Sequence, residues 1–315
     1  MQSLRHRLIA RGSWVLLLAA CSDEGDAVPE VPLSDVVVPV DASAVDMVTA
    51  AEMAELPLLP CDMPEATAWT PPVIPLTAVP AGTFWQGCPT GKACGPPEVA
   101  PCTDWQLPCE LATLPAFQIA RLEVTIGQYA RCLAARACPK PEDPFGTAGI
   151  PTHPARVGYE AAQGFCAWAG LRLCTGPEWE MAAKGDCALN GCPGNDAACC
   201  AAATRLYPWG DEPPTCERAA GVFGYEHLGD DEIACSIQGT CSCGHPSTWP
   251  PGSFPGGASP YGSHDLSGNE PEWVSGQWVD SVGGVNHMLR GGGTPDLLLY
   301  RFTTVYALPV GANGG

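Results

Sequence analysis

Positively charged residues are scarce in this chain. Only 15 Lys and Arg residues stand against 34 Asp and Glu residues, so the formal net charge of the 315-residue chain is −19. A surface of this sign repels phosphate groups, which argues against nucleic acid and anionic membrane surfaces as partners. Cations are the natural counterparts of such a surface, although a contribution to solubility is the simpler explanation of the charge.

Long apolar runs are also missing. The most apolar stretch near the N-terminus, residues 14–20, is shorter than the roughly 20 residues that a membrane-spanning helix needs. It follows a basic N-terminus and ends in the sequence LAAC at residues 18–21, which is typical of a bacterial lipoprotein signal. We therefore expect residues 1–20 to be a signal peptide and Cys21 to be acylated after cleavage. An ordinary secretory signal followed by a chance cysteine is the alternative.

The predicted anchor implies a place in the bacterial cell envelope, and Ser22 after the cysteine favours the outer membrane. Residues 21–75 mix acidic residues with Pro, Val and Ala without a sustained period, which is typical of a mobile stalk. We expect one folded domain over residues 76–315, long enough to bury its own core. The lipid anchor would then be the only contact with the membrane.

Signatures of common catalytic sites do not stand out. No serine–histidine–acid arrangement is recognisable, and the run Gly291–Gly293 is not followed by the Gly-Lys-Ser/Thr of a phosphate loop. That run is more typical of a tight backbone passage. His153 and His264 have no partners at metal-binding spacing, so surface or core roles are favoured for both.

Cysteine, glycine and proline are abundant. The 36 Gly and 34 Pro residues exclude long regular elements, and 18 Cys residues in an exported chain indicate disulfides more than metal clusters. If Cys21 carries lipid, the remaining cysteines are odd in number. The adjacent Cys199 and Cys200 should bridge to two different partners. Spacing favours four further local pairs: Cys88 with Cys94, Cys102 with Cys109, Cys132 with Cys138, and Cys235 with Cys241 or Cys243.

Two helices are predicted in the middle of the chain. Thr175 and Glu178 form a Thr-x-x-Glu capping box, so a helix should begin at Thr175 and end at Gly185. The stretch Gly158–Ala169 should form another short helix that Gly170 closes. A strand-like Arg-Leu-Cys-Thr link would join them.

Several segments in this order resemble the sulfatase-modifying factor family, also called the formylglycine-generating enzyme family. The resemblance covers roughly residues 76–310. The segments that carry it are AGTFWQG at 81–87, LEVTIGQYARCL at 122–133, HP at 153–154, GLRLCTGPEWEMAAKG at 170–185, YPWGDE at 207–212, YGSHDLSGNEPEW at 261–273 and MLRGGG at 288–293.

The resemblance implies a loop-rich α+β domain similar to the C-type lectin fold, which disulfides would stiffen. It also implies a structural calcium site, because the family motif Gly-Asn-x-Trp-Glu-Trp supplies an asparagine and a glutamate that Asn269 and Glu272 match. A turn asparagine and a solvated carboxylate are the competing interpretation. Family roles in the core and in helix capping are implied for Arg172, Glu178, Trp179, Glu180 and Trp209.

Active family members oxidise a substrate cysteine to formylglycine with copper, which two thiolates hold just after an Arg-Gly-Gly-Ser motif. Soft thiolates suit Cu(I). Here the motif reads Arg290-Gly-Gly-Gly293, and no cysteine follows Cys243. Copper is therefore not expected. The family's closing Gly-Phe-Arg-Cys is also absent at Gly314–Gly315, which leaves a truncated reading frame and genuine divergence as open explanations.

These observations favour a lipid-anchored envelope protein whose domain is a non-catalytic binding or structural module. Its ligand would be an extracytoplasmic protein or a glycan. The alternative is a protein-modifying oxidoreductase of the formylglycine-generating type, acting through residues or a C-terminus that the sequence does not reveal.

Overall fold

The computed structural model describes residues 17–18, 20–23, 71–88, 109–141, 150–220, 248–279, 284–293, 303–304 and 307–311. The strands in these parts are β1 Leu17–Leu18, β2 Ala20–Ser22, β3 Leu76–Val79, β4 Gly82–Gln86, β5 Glu110–Leu114, β6 Phe117–Ala120, β7 Arg172–Leu173, β8 Glu272–Val279, β9 Val285–Arg290 and β10 Ala307–Gly311. The α-helices are α1 Ile126–Ala134, α2 Tyr159–Trp168, α3 Gly176–Lys184 and α4 Ala197–Ala203, and Pro255–Gly257 form a 3-10 turn.

The described strands form three small sheets. One has the order β1-β8-β9-β10, a second has the order β3-β6-β2-β7, and β4 pairs with β5. The link after α2 runs beside β8, where the Ser275 amide donates to the Cys174 carbonyl at 2.7 Å. The short helices and strands of the described residues confirm the expected α+β class, whereas the likeness to C-type lectins stays a prediction.

Two apolar clusters form most of the core. Tyr129 and Phe165, from α1 and α2, stack in the first cluster with ring centroids 5.9 Å apart. Trp179 of α3 is fully buried in the second, together with Phe84 and Phe117. Helices α1 and α2 each bury one face, whereas α3 is buried on every side from Glu178 to Lys184.

Local sequence signals position the helices as expected. Thr175 and Glu178 form the predicted capping box of α3, and Thr125 forms a second one at α1. Helix α2 lies where the sequence predicts it, with Gly158 at its N-cap. Gly185 ends α3 with φ 80° and ψ 169°. The positive φ is one that glycine adopts readily, but this ψ is outside the left-handed helical region.

Disulfides tie down the loops. Cys132 pairs with Cys138, as the spacing predicts. The adjacent cysteines bridge to two different partners, since Cys199 bonds Cys192 and Cys200 bonds Cys187. Cys88, Cys109 and Cys216 are also disulfide-bonded. The candidates Cys94, Cys102, Cys235, Cys241 and Cys243 lie outside the described residues.

The N-terminal segment differs from the expectation. Cys21 forms a disulfide with Cys174, and both residues are fully buried. A sulfur in this bond cannot also carry lipid, so the disulfide and the expected acylation of Cys21 exclude each other, and the lipid anchor stays a prediction. Leu17–Leu18 and Ala20–Ser22, which the sequence assigns to the leader and the stalk, lie in the sheets of the domain. Among the described helices, none has the length and apolar character that a bilayer crossing requires.

Candidate functional site

Three buried carboxyl groups gather where the loop before β8 meets the residues preceding α1. Glu123 is 2% exposed, Asp265 is 5% exposed and Glu272, the first residue of β8, is 3% exposed. Loop backbone in a left-handed conformation shapes this region, with φ 58° at Asp265 and 60° at Asn269. The sequence did not suggest Glu123 or Asp265 as site residues, because they come from separate motifs.

Asn269 links this carboxyl cluster to its surroundings. Its side-chain amide donates to a carboxylate oxygen of Glu123 at 2.5 Å and to the Trp249 carbonyl at 3.0 Å, and its side-chain carbonyl accepts from the Trp249 amide at 2.8 Å. The neighbouring Glu270 pairs with Arg156, whose Nε lies 2.8 Å from the carboxylate. Asn269 is therefore a turn residue whose side chain is fully used in holding loops together.

Burial dominates the electrostatics of the cluster. It raises the pKa of Glu272 to about 8, helped by the charge of Asp265 and opposed by a hydrogen bond from the Trp179 indole. Burial raises the pKa of Asp265 to about 6. The hydrogen bond that the Gly252 amide donates to its carboxylate at 2.6 Å acts in the opposite direction and lowers the pKa. The pKa of Glu123 is also raised well above its usual range, by burial and then by the charges of Asp265 and Glu272. A pKa of about 8 keeps Glu272 mostly protonated at neutral pH, whereas a pKa of about 6 leaves Asp265 mostly ionised.

The sequence-predicted calcium ligands, Asn269 and Glu272, do lie in this buried region. The expectation of a solvated carboxylate at Glu272 is wrong, because burial and the Trp179 indole enclose it. Both side chains already serve as hydrogen-bonding partners, and within the described residues no group of three or more His, Cys, Asp or Glu side chains is arranged to hold a metal ion. Calcium at this position stays a prediction.

A second buried group of charges surrounds Glu180 on α3. One carboxylate oxygen accepts from the Gly87 amide at 2.6 Å and lies 2.5 Å from Lys184 Nζ. The other lies 3.3 Å from Arg290 Nη1. Arg290 also stands over the Trp179 ring, 5.8 Å from its centroid. Each of these charged side chains pairs with another part of the protein. The cluster around Glu180 therefore holds α3 to β9 and to the loop after β4.

Arg172 and Glu178 form a separate ion pair at the start of α3. The guanidinium donates to both carboxylate oxygens of Glu178 at 2.6 and 2.8 Å, and the same carboxylate accepts from the Thr175 amide at 2.7 Å. Burial would raise the pKa of Glu178, but the hydrogen bonds from Arg172 and Thr175 lower it overall. Trp209 stacks on Tyr207 with centroids 5.2 Å apart. These contacts hold the start of α3 and the Tyr207 turn in place, and the structural role of the residues stays a prediction.

The histidines do not come together at this site. A ring nitrogen of His153 lies 3.0 Å from the Thr248 hydroxyl, and His264 has a pKa lowered by burial and by Arg121. The glycine run does form a tight passage. A Cβ on Gly293 would lie 2.7 Å from a Pro271 carbon, so only glycine fits there without a shift.

An open cleft lies beside the carboxyl cluster. It has a volume of about 430 Å³ and is lined mainly by apolar residues, including Ile74, Leu122, Pro151 and Pro250, with Glu123 and Gln128 as polar neighbours. The cleft could not be predicted from the sequence, because its walls come from four distant segments.

Comparison with known proteins decides the family. The family model described as "Sulfatase-modifying factor enzyme 1-like domain" matches residues 67–303, about three quarters of the chain. The chain belongs to this family. The resemblance seen in the sequence is thereby confirmed.

Three proteins similar to this sulfatase-modifying factor family member have sequence identities of 29%, 21% and 20% to it. It is 29% identical over 171 residues to the hercynine oxygenase of Mycolicibacterium thermoresistibile, a match covering 45% of the chain and 35% of that protein. The chain thus spans about a third of this curated relative. The structure of PvdO from Pseudomonas aeruginosa has a TM-score of 0.50 at 21% identity, covering 75% of this chain and 88% of PvdO, which shows a shared fold. CarF has a TM-score of 0.48 at 20% identity, with coverage of 76% and 93%.

The family's copper does not fit the residues of this member. Copper in the family needs two thiolates after the Arg-Gly-Gly motif, and this chain has no cysteine after Cys243. Among the described residues the one free cysteine is Cys166, which is buried, and burial raises the pKa of its thiol to about 12. Such a thiol stays protonated at neutral pH and is a poor metal ligand.

Proposed function

We propose that this domain is a non-catalytic binding or structural module of the bacterial cell envelope. The observation that carries the proposal is the missing pair of thiols after Arg290-Gly-Gly-Gly293, where the family's oxidase chemistry needs them. The disulfides of the described region support it further, because an oxidised cysteine supplies no thiolate. The proposed ligand is an extracytoplasmic protein or a glycan.

The experiment is an assay for formylglycine. The protein is incubated with copper, oxygen and a peptide carrying the Cys-x-Pro-x-Arg sulfatase signature, and the peptide mass is followed beside an active family member. We expect no conversion above the no-enzyme background. Aldehyde formation at the peptide cysteine would contradict the proposal.

An oxidoreductase is the second candidate, and the likeness to hercynine oxygenase favours it. That enzyme's name describes the whole protein, of which this chain matches about a third, so the activity is a proposal for this chain. Oxygen consumption with hercynine, measured across a panel of transition metals, separates the two candidates. Turnover with hercynine would favour the oxidoreductase.

We also propose that the exported protein is anchored through lipid on Cys21, in the outer membrane as Ser22 favours. Acylation requires a free Cys21 thiol, so it competes with the bond to Cys174. Detergent-phase partitioning and the mass of the N-terminal peptide test the anchor, with Cys21→Ser as the variant that should stay in the aqueous phase. An unmodified Cys21 in the mature membrane fraction would reject the anchor.

A further inference from the structure

Large apolar side chains are exposed at the edge of the cleft beside the carboxyl cluster. Val73, which lines the cleft, is 90% exposed, and Ile150, which precedes the lining residue Pro151, is 55% exposed. These are the two highest exposures among the large apolar side chains of the described residues. A single exposed apolar residue is common, but two of them beside one apolar cleft are typical of an interaction site.

Hydrogen bonds hold two walls of the cleft in place. The Pro75 carbonyl accepts from the Arg121 amide at 2.8 Å, and the Pro151 carbonyl accepts from the Gly127 amide at 2.8 Å. Both bonds join backbone groups of segments that are distant in the sequence. A cleft with fixed walls needs little ordering when a ligand binds, and this lowers the cost of binding.

A third wall connects the cleft to the carboxyl cluster. This wall is Pro250–Pro251. Trp249 before it exchanges two backbone hydrogen bonds with the side chain of Asn269, and Gly252 after it donates to Asp265 at 2.6 Å. The side chains that surround the cluster therefore also position a wall of the cleft.

Glu123 belongs to both the cleft and the carboxyl cluster. No Lys, Arg or His residue is among the described residues that line the cleft. One carboxylate oxygen of Glu123 accepts from the Asn269 side chain at 2.5 Å, and the other accepts from the Glu270 amide at 3.2 Å. A carboxylate has about four acceptor positions, so these bonds leave some unused. The charges of Asp265 and Glu272 also act on Glu123. The cleft is therefore complementary to a cation.

We propose that the cleft binds a lysine side chain of a protein partner, with its methylene stem against the apolar walls and its ammonium group at Glu123. Lysine combines an apolar stem with a compact charged end, as this cleft requires. Each oxygen of Glu123 already accepts one bond, which disfavours the bidentate pairing that arginine makes. Apolar residues beside the lysine cover Val73 and Ile150. This inference rests on the proposed binding function and makes the partner an extracytoplasmic protein.

The first test compares two peptides with blocked ends, Val-Lys-Val and Val-norleucine-Val. Norleucine has the apolar stem of lysine without the charge. Both peptides are titrated into the wild-type protein by calorimetry at pH 7, in chelator so that no divalent cation competes. We expect the lysine peptide to bind at least about tenfold more tightly, which is the effect of one charge-assisted hydrogen bond. Equal affinities, or no detectable binding of the lysine peptide, would overturn the proposal.

Two substitutions at exposed positions locate the bound lysine. Thr152 lines the cleft and is exposed, so Thr152→Lys places a positive charge there. It should weaken binding of the lysine peptide at least about fivefold, because like charges repel. Leu189→Lys is the matched control, since this 49% exposed residue does not line the cleft. Equal weakening by both substitutions would show that the net charge of −19 alone attracts the peptide, and would overturn the proposal.

Glu123→Gln removes the carboxyl group that the ammonium group contacts. In this variant the preference for lysine over norleucine should fall below about twofold, and thermal unfolding checks that the protein is folded. Thr152→Lys answers the same question if Glu123→Gln does not fold. A preference that stays at tenfold in folded Glu123→Gln protein would refute the site. The formylglycine assay is independent of these readouts, so missing lysine binding without formylglycine formation would reject this inference and leave the non-catalytic proposal standing.

Discussion

Glu272 is the buried carboxyl whose removal should make the protein more stable at alkaline pH. Its pKa is raised from 4.5 to about 8 in the folded protein, chiefly by burial. The folded state therefore holds the proton more tightly than the unfolded chain does. As the pH rises from about 4.5 to about 8, the free energy of unfolding must fall.

The loss of unfolding free energy can be calculated from the change in the pKa of Glu272. Each pKa unit corresponds to about 1.4 kcal/mol, so the full shift lowers stability by up to about 5 kcal/mol above pH 8. Glu272→Gln is uncharged at every pH, and its carbonyl can still accept from the Trp179 indole. We expect the variant to be within about 1 kcal/mol of the wild type at pH 5 and several kcal/mol more stable at pH 8.5.

Urea unfolding followed by tryptophan fluorescence, in chelator at both pH values, measures the difference. Glu180→Gln is the control, since this equally buried glutamate pairs with Lys184 and Arg290. The Glu180→Gln protein should be less stable than the wild type at both pH values. A Glu272→Gln variant that is less stable than the wild type at pH 8.5 in chelator would refute the electrostatic reasoning.

If calcium binds at this site, the expected effect of Glu272→Gln on stability has the opposite sign. A bound cation would stabilise ionised Glu272, so Glu272→Gln would then lose stability in calcium buffer. A ligand at a hundredfold excess over its Kd stabilises the folded state by about 2.7 kcal/mol. Equal melting curves of the wild-type protein with and without chelator would reject a calcium site at Asn269 and Glu272.

Three further substitutions test the packing. Lys184→Met should cost about 3–5 kcal/mol in urea unfolding, because it leaves the buried Glu180 charge without its closest partner; a cost below 1 kcal/mol would contradict this. Thr175→Ala should cost about 1 kcal/mol by removing one half of a capping box, with Thr175→Ser as the tolerated control. Gly293→Ala should lower the melting temperature, because its Cβ would meet Pro271 at 2.7 Å, and an unchanged melting temperature would disprove the tight passage.

Local features of the fold could be predicted from the sequence. The capping box at Thr175, the helix after Gly158 and the Cys132–Cys138 bridge each depend on residues a few positions apart. Such short-range signals fix local geometry whatever surrounds them. The Cys21–Cys174 bridge has a sequence separation of 153, and nothing in the local pattern could reveal it.

The candidate site was only partly predictable for the same reason. The family motif pointed to Asn269 and Glu272, but not to the carboxyl groups that face them. Glu123 lies 146 residues before Asn269, and tertiary packing alone brings the two side chains to 2.5 Å. The raised pKa values follow from that packing, because burial and mutual repulsion are properties of the folded state.

The two bridges around α4 are nested, since the Cys192–Cys199 ring lies inside the ring closed by Cys187 and Cys200. A protease that cuts one peptide bond between residues 192 and 199 would leave both new ends covalently attached to the body of the domain. The nicked protein would keep its mass on a non-reducing gel and fall into two pieces only on reduction. In this part of the chain, a single cleavage therefore leaves the covalent connection of the domain intact.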